Sequence, residues 1–97
     1  MKEELSLRRL QDYIKSTDYN PNKKEHYFYK LIEEVGELSE VIRRNTTVQT
    51  TGNIKGTIDE ELYDVLYYVM ALANVYDIDL EQCYKMKEDI NKVKWNK

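Results

Sequence analysis

The chain carries two short acidic segments, Glu33-Glu34-Val35-Gly36-Glu37 and Glu60-Glu61-Leu62-Tyr63-Asp64. Each segment holds a pair of carboxylates three residues apart: Glu34 with Glu37, and Glu61 with Asp64. If both segments are helical, each pair lies on one helical face, because residues at i and i+3 are neighbours there. Four carboxylates that meet between two helices repel one another and lose hydration, so their meeting is hard to explain without a cation between them. Oxygen ligands suit Mg²⁺, with Mn²⁺ as the alternative, better than zinc.

The spacing of apolar residues around these segments predicts an all-α chain of four helices. The predicted helices cover residues 3–17, 21–44, 57–77 and 79–95, with a polar loop at 45–56. The predicted N-terminal signals are Asn20 with Pro21, Thr57 with Glu60, and Asp79 with Gln82. We expect a four-helix bundle around one core. A chain this small buries a modest core by itself, so we expect oligomerisation to complete it.

Two predicted helices carry apolar stripes that should face the core. In the second helix the stripe consists of Phe28, Leu31, Ile32, Val35, Leu38 and Ile42. In the third helix it consists of Ile58, Leu62, Val65, Leu66, Val69, Leu72, Ala73 and Tyr76. Glu34 and Glu37 fall on the flank of the second-helix stripe. Glu61 falls within about 60° of the centre of the third-helix stripe, and Asp64 just beyond. A carboxylate so close to a core is normally paired or metal-bound.

Length and composition limit the class of protein. The 97 residues make a single domain, residues 1–97. The net charge of -3 disfavours binding to a nucleic acid polymer. No apolar run approaches the ~20 residues of a membrane span, and the N-terminus does not resemble a signal peptide. A single cysteine, Cys83, cannot form an internal disulfide, so we expect a cytoplasmic protein in which Cys83 is a half-buried apolar residue.

Clustered carboxylates, lysines late in the chain and many aromatic residues fit metal-dependent hydrolysis of a nucleoside triphosphate. A carboxylate beside the metal would orient the attacking water. The chain has no GxxxxGK[ST] loop, which excludes a P-loop mechanism. One histidine, His26, and no Gly-x-Ser-x-Gly turn make a Ser or Cys triad a poor fit. A di-iron bundle needs two Glu-x-x-His motifs, and the sequence has neither.

The acidic motifs and their flanks resemble the signature of MazG-type nucleotide pyrophosphohydrolases, which belong to the all-α NTP pyrophosphatase superfamily. The similar segments are residues 30–38, residues 60–68 and the tail Lys87-x-x-x-Asn91-x-x-Lys94-Trp95. The family pattern is Glu-x-x-Glu, a variable spacer and Glu-x-x-Asp, and the spacer of 23 residues here is compatible. The resemblance covers about residues 27–95. It implies hydrolysis of an NTP or dNTP to the monophosphate and pyrophosphate, with Mg²⁺.

The resemblance also implies roles for individual residues. The expected metal ligands are Glu34, Glu37, Glu61 and Asp64, and Glu33 is expected to help position the attacking water. The expected substrate contacts are Lys30, Tyr68, Lys87, Asn91 and Lys94. Lys94 replaces the family's usual Arg, which keeps the charge but loses the bidentate fork. Members of the family work as dimers or tetramers, so we expect a homodimer or a homotetramer.

Three functions remain open on the sequence. The first is a Mg²⁺-dependent nucleotide pyrophosphohydrolase that removes non-standard or surplus nucleotides. The second is a phosphoribosyl-ATP pyrophosphatase from the same superfamily. The third is a non-catalytic helical interaction module in which the acidic motifs are remnants. A panel of nucleotides separates the first two, and a metal titration separates both from the third.

Overall fold

Helices dominate the structure, a computed structural model that describes residues 4–95 and the side chains of residues 4–93. The helices are α1 (Leu7–Thr17), α2 (Lys24–Arg44), α3 (Val48–Thr51), α4 (Ile58–Val75) and α5 (Leu80–Trp95), with a 3-10 turn at Pro21–Lys23. No strand occurs between residues 4 and 95. The all-α prediction is confirmed, and α3 is a single turn inside the predicted loop. No helix in the described part of the chain is long and apolar enough to cross a membrane.

Capping side chains determine where the first and last helices begin. The Ser6 hydroxyl accepts the backbone N–H of Arg9 at 3.1 Å, so α1 begins at Leu7 and the predicted start at residue 3 is wrong. The Asp79 carboxylate accepts two backbone N–H groups of the first turn of α5, which confirms the predicted cap there. Local hydrogen bonds therefore set these boundaries more closely than apolar periodicity does.

α2 has two apolar faces, and the predicted stripe mixed them: Leu31 and Leu38 lie on the inner face, and its other four residues are exposed. The inner face carries Tyr27, Leu31, Leu38 and Val41, with Glu34 in its middle. The exposed face carries Phe28, Ile32, Val35 and Ile42. The stripe predicted on α4 is also partly wrong. The residues that α4 contributes to the core are Met70, Ala71 and Val75, which the stripe did not contain. Three residues of the predicted stripe, Leu62, Leu66 and Tyr76, are exposed. Periodicity shows that a helix has an apolar face but not which of two faces meets a neighbour.

The core lies where α1, the first turns of α2 and the last turns of α4 meet. Its buried residues are Ile14, Tyr27, Met70, Ala71 and Val75. Asp18, just after α1, accepts the hydroxyl of Tyr27 at 2.8 Å and the hydroxyl of Tyr67 at 2.6 Å. One carboxylate thus links the end of α1 to α2 and α4. Because the core occupies this end of the α2–α4 pair, the other end is left for polar residues.

α5 extends away from the other helices. Its first turn is tied to α1, since the Glu81 carboxylate accepts the backbone N–H of Arg8 at 2.9 Å. Most side chains beyond that turn are exposed, including Cys83, so the prediction of a half-buried cysteine is wrong. The radius of gyration is 16.0 Å, against about 12.5 Å for a compact chain of this length. The single chain is therefore more open than a closed globule.

Candidate carboxylate site

α2 and α4 pack against each other in antiparallel fashion. Near the start of α2, the Lys30 ammonium lies 5.8 Å from the ring centroid of Tyr68, in the second half of α4. At the opposite end, the backbone N–H of Ile58 donates to the carbonyl of Thr46 at 2.9 Å, which joins the start of α4 to the end of α2. The acidic segments of both helices lie between these two contacts. The antiparallel arrangement therefore brings them to the same level.

Three of the predicted carboxylates form one cluster between the helices. Carboxylate oxygens of Glu34, Glu61 and Asp64 all lie within 4.8 Å of one another. Glu37, almost one turn further along α2, lines the same pocket. The pocket has a volume of about 520 Å³, within the range of about 300–1,000 Å³ that is usual for small-ligand sites. The structure thus brings all four predicted metal ligands to one pocket.

The start of α4 positions Glu61 in this pocket. The fully buried Thr57 accepts the backbone N–H of Glu60 at 3.1 Å, which confirms the predicted cap. The Glu60 carboxylate accepts the N–H of Gly56 at 2.8 Å, so the other half of the predicted capping box is replaced by a bond to the preceding turn. Glu61 follows on the inner face of α4, where its exposed fraction is 7%.

Glu61 is a buried carboxylate with an unpaired oxygen. Its Oε1 has no hydrogen-bond partner among the described residues. Burial, followed by the adjacent Glu34 carboxylate, raises the pKa of Glu61 from 4.5 to about 7. Burial also raises the pKa of Asp64, with Glu34 adding to the effect and Lys55 opposing it. Buried carboxylates are costly without a partner, so the cluster fits a divalent cation bound by oxygen ligands.

Three further predicted site residues form a polar rim beside the cluster, towards the start of α2: Lys30, Glu33 and Tyr68. The Lys30 ammonium pairs with Glu33 Oε1 at 3.1 Å, and the Glu33 side chain is 62% exposed. Glu33 therefore faces solvent outside the cluster. Burial raises the pKa of the half-buried Tyr68, and the charge of Lys30 lowers it. The rim thus places a cation and an aromatic hydroxyl next to the carboxylates.

The remaining predicted substrate contacts lie on α5. Lys87 is exposed and Asn91 is half-buried, and neither belongs to the described lining of the carboxylate pocket. The side chain of Lys94 lies outside the described residues. Within one chain, the pocket is lined by α2, α4 and the segment before α4. The structure therefore does not bring Lys87 or Asn91 to the carboxylates of their own chain.

Two cations in the pocket were missed by the sequence analysis. Arg44 ends α2, Lys55 precedes α4, and both line the pocket. The segment 45–56, predicted as a polar loop, contains the helical turn α3, and Asn53 Oδ1 accepts the backbone N–H of Lys55 at 2.8 Å. One available signal was that Lys55 is the only charged residue in that segment.

An all-α fold that holds clustered carboxylates between two antiparallel helices defines the chain as a helical protein built around an acidic site. The model of the MazG nucleotide pyrophosphohydrolase domain matches residues 22–94. The chain therefore belongs to the MazG nucleotide pyrophosphohydrolase family and is an enzyme of that class. This confirms the resemblance seen in the sequence, and it counts against the non-catalytic module.

Two crystal structures of iMazG from Vibrio DAT 722 are similar to this chain over nearly its whole length. The Ntag-iMazG structure is 54% identical in sequence and has a TM-score of 0.87. The match covers 96% of the present chain and 100% of the iMazG chain. The Ctag-iMazG structure is 54% identical in sequence and has a TM-score of 0.84. The match covers 91% of the present chain and 99% of the iMazG chain. No curated protein sequence gives a significant match.

Proposed function

We propose that this protein hydrolyses nucleoside or deoxynucleoside triphosphates to the monophosphate and pyrophosphate. Glu34, Glu61 and Asp64, with Glu37 beside them, would hold Mg²⁺, with Mn²⁺ as the alternative ion. The observation that carries the proposal is the unpaired, buried Oε1 of Glu61 inside a three-carboxylate cluster. Mg²⁺ is usually bound by carboxylates together with substrate phosphates, which suits an open pocket of this size.

In the proposed reaction, a water oxygen forms a bond to the α-phosphorus. The bond from that phosphorus to the oxygen bridging to the β-phosphate breaks, so pyrophosphate leaves. When bound, the divalent ion offsets the negative charge that develops on the phosphate oxygens. Glu33, held at the rim by Lys30, would help position the attacking water. Lys30 and Tyr68 would contact the nucleotide from the rim beside the cluster.

We further propose that the working form is a homodimer or a homotetramer. Two observations support this: the exposed apolar face of α2, and a radius of gyration of 16.0 Å in a chain of 97 residues. In such an assembly α5 of one copy could supply Lys87, Asn91 and Lys94 to the pocket of another. Mixing Glu61→Ala protein with Lys87→Ala protein tests this. Restored turnover in the mixture supports a shared site, and two variants that stay inactive together contradict it.

Removal of non-standard or surplus nucleotides is the proposed role of this reaction. The cytoplasm is the proposed compartment, because the exposed thiol of Cys83 suits a reducing environment.

The deciding experiment is product analysis with the purified protein. The protein is incubated with Mg²⁺ and canonical nucleotides, modified nucleotides and phosphoribosyl-ATP, and the products are separated by chromatography. Monophosphate and pyrophosphate, lost on adding EDTA, would support the proposal and identify the substrate. Diphosphate and orthophosphate would refute the proposed cleavage position. Turnover of phosphoribosyl-ATP alone would instead identify the protein as a phosphoribosyl-ATP pyrophosphatase.

Variants of the cluster connect any turnover to this site. Glu61→Ala and Asp64→Ala are expected to abolish turnover while circular dichroism shows an unchanged helical content. Glu25→Gln is the matched control, because Glu25 lies in the first turn of α2 and is exposed. Wild-type turnover in either cluster variant would contradict the proposal.

A further inference from the structure

The carboxylate pocket has cations at one end that the predicted site residues do not include. Lys55 and Arg44 line it together with Glu34, Glu61 and Asp64. These cations therefore share one space with the proposed metal ligands.

The backbone around Lys55 is held in place by hydrogen bonds on both sides. Asn53 Oδ1 accepts the N–H of Lys55 at 2.8 Å, and the Glu60 carboxylate accepts the N–H of Gly56 at 2.8 Å. The buried Thr57 hydroxyl donates to the carbonyl of Ile54 at 2.6 Å. The segment that presents Lys55 is thus fastened to the start of α4. Such an arrangement lowers the entropy lost when the segment contacts a ligand.

Arg44 is more weakly paired than its neighbour Arg43. Its guanidinium lies 3.9 Å from Glu40, at the limit of an ion pair, and both side chains are about 60% exposed. Arg43 contacts the same Glu40 carboxylate closely. An exposed pair at this distance contributes little, so Arg44 can exchange Glu40 for an anionic ligand at small cost. Its planar fork suits phosphate oxygens.

The two sides of the carboxylate cluster differ in chemistry. Towards the start of α2, Lys30 stands with the ring of Tyr68 at 5.8 Å, beside the pocket and outside its described lining. On the other side, Arg44 and Lys55 belong to the lining, together with the Glu40 and Glu60 carboxylates. The antiparallel helices place the carboxylate cluster between these two sides. An aromatic ring beside a cation suits a nucleoside with its adjacent phosphate, whereas two cations suit a group that is purely phosphate.

We propose that Arg44 and Lys55 bind the β- and γ-phosphates of the substrate, with the nucleoside at the Lys30 and Tyr68 end. This inference rests on the proposed function and assigns a direction to the substrate in that site. When the bond from the α-phosphorus to the bridging oxygen breaks, the electron pair stays on that oxygen. Arg44 and Lys55 then stabilise the pyrophosphate that carries the new negative charge.

Product inhibition tests this direction because the two products would occupy opposite sides of the carboxylate cluster. Arg44→Gln and Lys55→Gln are compared with wild type for inhibition by inorganic pyrophosphate and by the nucleoside monophosphate, both in Mg²⁺. Each variant is expected to raise the inhibition constant of pyrophosphate about tenfold, the size expected for losing one charge-assisted hydrogen bond. The inhibition constant of the monophosphate should stay within about twofold.

Two control variants each remove one positive charge from α2 away from the proposed phosphate contacts. Arg43→Gln removes a neighbouring cation of α2 that pairs with Glu40 but does not itself belong to the described pocket lining. Lys24→Gln removes an exposed lysine near the start of the same helix. Both are expected to behave as wild type towards pyrophosphate. Thermal melting of every variant shows whether it is folded. A folded Lys55→Gln protein with unchanged pyrophosphate inhibition, or with weakened monophosphate inhibition instead, would overturn the inference.

Failure of the proposed function gives a different result. If wild-type protein releases no pyrophosphate from any nucleotide, the proposed reaction fails. Calorimetric titration with pyrophosphate and Mg²⁺ then still reports on the two cations. Wild-type binding that Lys55→Gln weakens would support the phosphate subsite, and equal binding by both proteins would overturn it.

Discussion

Replacing Glu61 by Gln is expected to stabilise the metal-free protein above pH 7 and to change its stability little near pH 4.5. The Glu61 carboxylate is only 7% exposed, and its Oε1 has no partner among the described residues. The charged form is therefore the unfavourable one in the folded protein. Glutamine keeps the shape of the side chain, removes the charge and can donate to the adjacent Glu34 carboxylate.

The magnitude follows from the pKa of Glu61, which rises from 4.5 to about 7 in the folded protein. Between these pH values the folded state binds more protons than the unfolded chain, so the free energy of unfolding falls as the pH rises. The contribution of protonated Glu61 to the free energy of unfolding is complete below about pH 4.5 and is lost above about pH 7. At about 1.36 kcal/mol per pH unit, the loss is about 3 kcal/mol. In a domain of this size that corresponds to a melting temperature lower by more than about 10 °C.

Urea denaturation and thermal melting in EDTA, at pH values from 4.5 to 8.5, measure this effect. The free energy of unfolding of wild type should fall by at least about 3 kcal/mol across the range, with Asp64 adding to the contribution of Glu61. The free energy of unfolding of Glu61→Gln should fall much less with rising pH. A small dependence on pH should remain, because the pKa of Asp64 is also raised. Glu25→Gln, at an exposed position of α2, should follow wild type. Equal slopes in wild type and Glu61→Gln would refute the reasoning that the buried carboxylate is protonated up to neutral pH.

Three further outcomes are expected. Mg²⁺ affinity should fall about tenfold for each pH unit below about pH 7, because the ion must displace a proton from the cluster; titration calorimetry should show proton release, and a pH-independent affinity would contradict this. Tyr67→Phe removes the hydroxyl that Asp18 accepts at 2.6 Å and should cost about 1.5–3 kcal/mol in urea denaturation, with no loss expected from Tyr29→Phe at an exposed position. Ile32→Glu should reduce the mass of the assembly in size-exclusion chromatography with light scattering, because Ile32 is 53% exposed on the apolar outer face of α2; an unchanged mass would place the interface elsewhere.

Much of the secondary structure could be predicted because its signals are local. The Thr57 cap with Glu60, the Asp79 cap and the near-absence of Gly and Pro depend on neighbours in the chain. Helical spacing also put Glu34 with Glu37, and Glu61 with Asp64, on shared faces before any tertiary contact was known. The long spacer between the motifs did not obscure this, because a helix face depends only on positions within a few turns.

Other features were decided only by tertiary packing. Which apolar face of α2 is buried depends on α1 and α4, so the predicted stripe included the exposed Phe28, Ile32, Val35 and Ile42. The cations at the pocket end came from the predicted loop and the last turn of α2, whose positions depend on how that segment is fastened to α4.

By itself, the sequence determined an all-α chain with paired carboxylates on two helices, because helical periodicity and capping are properties of adjacent residues. Only the tertiary structure decided that Glu34, Glu61 and Asp64 come within 4.8 Å, that Glu33 stays outside with Lys30, and that Lys87 remains apart on α5. The physical reason is that these distances depend on the antiparallel packing of α2 against α4 and on the direction of α5. Packing is set by contacts between residues far apart in the chain, which local patterns do not encode.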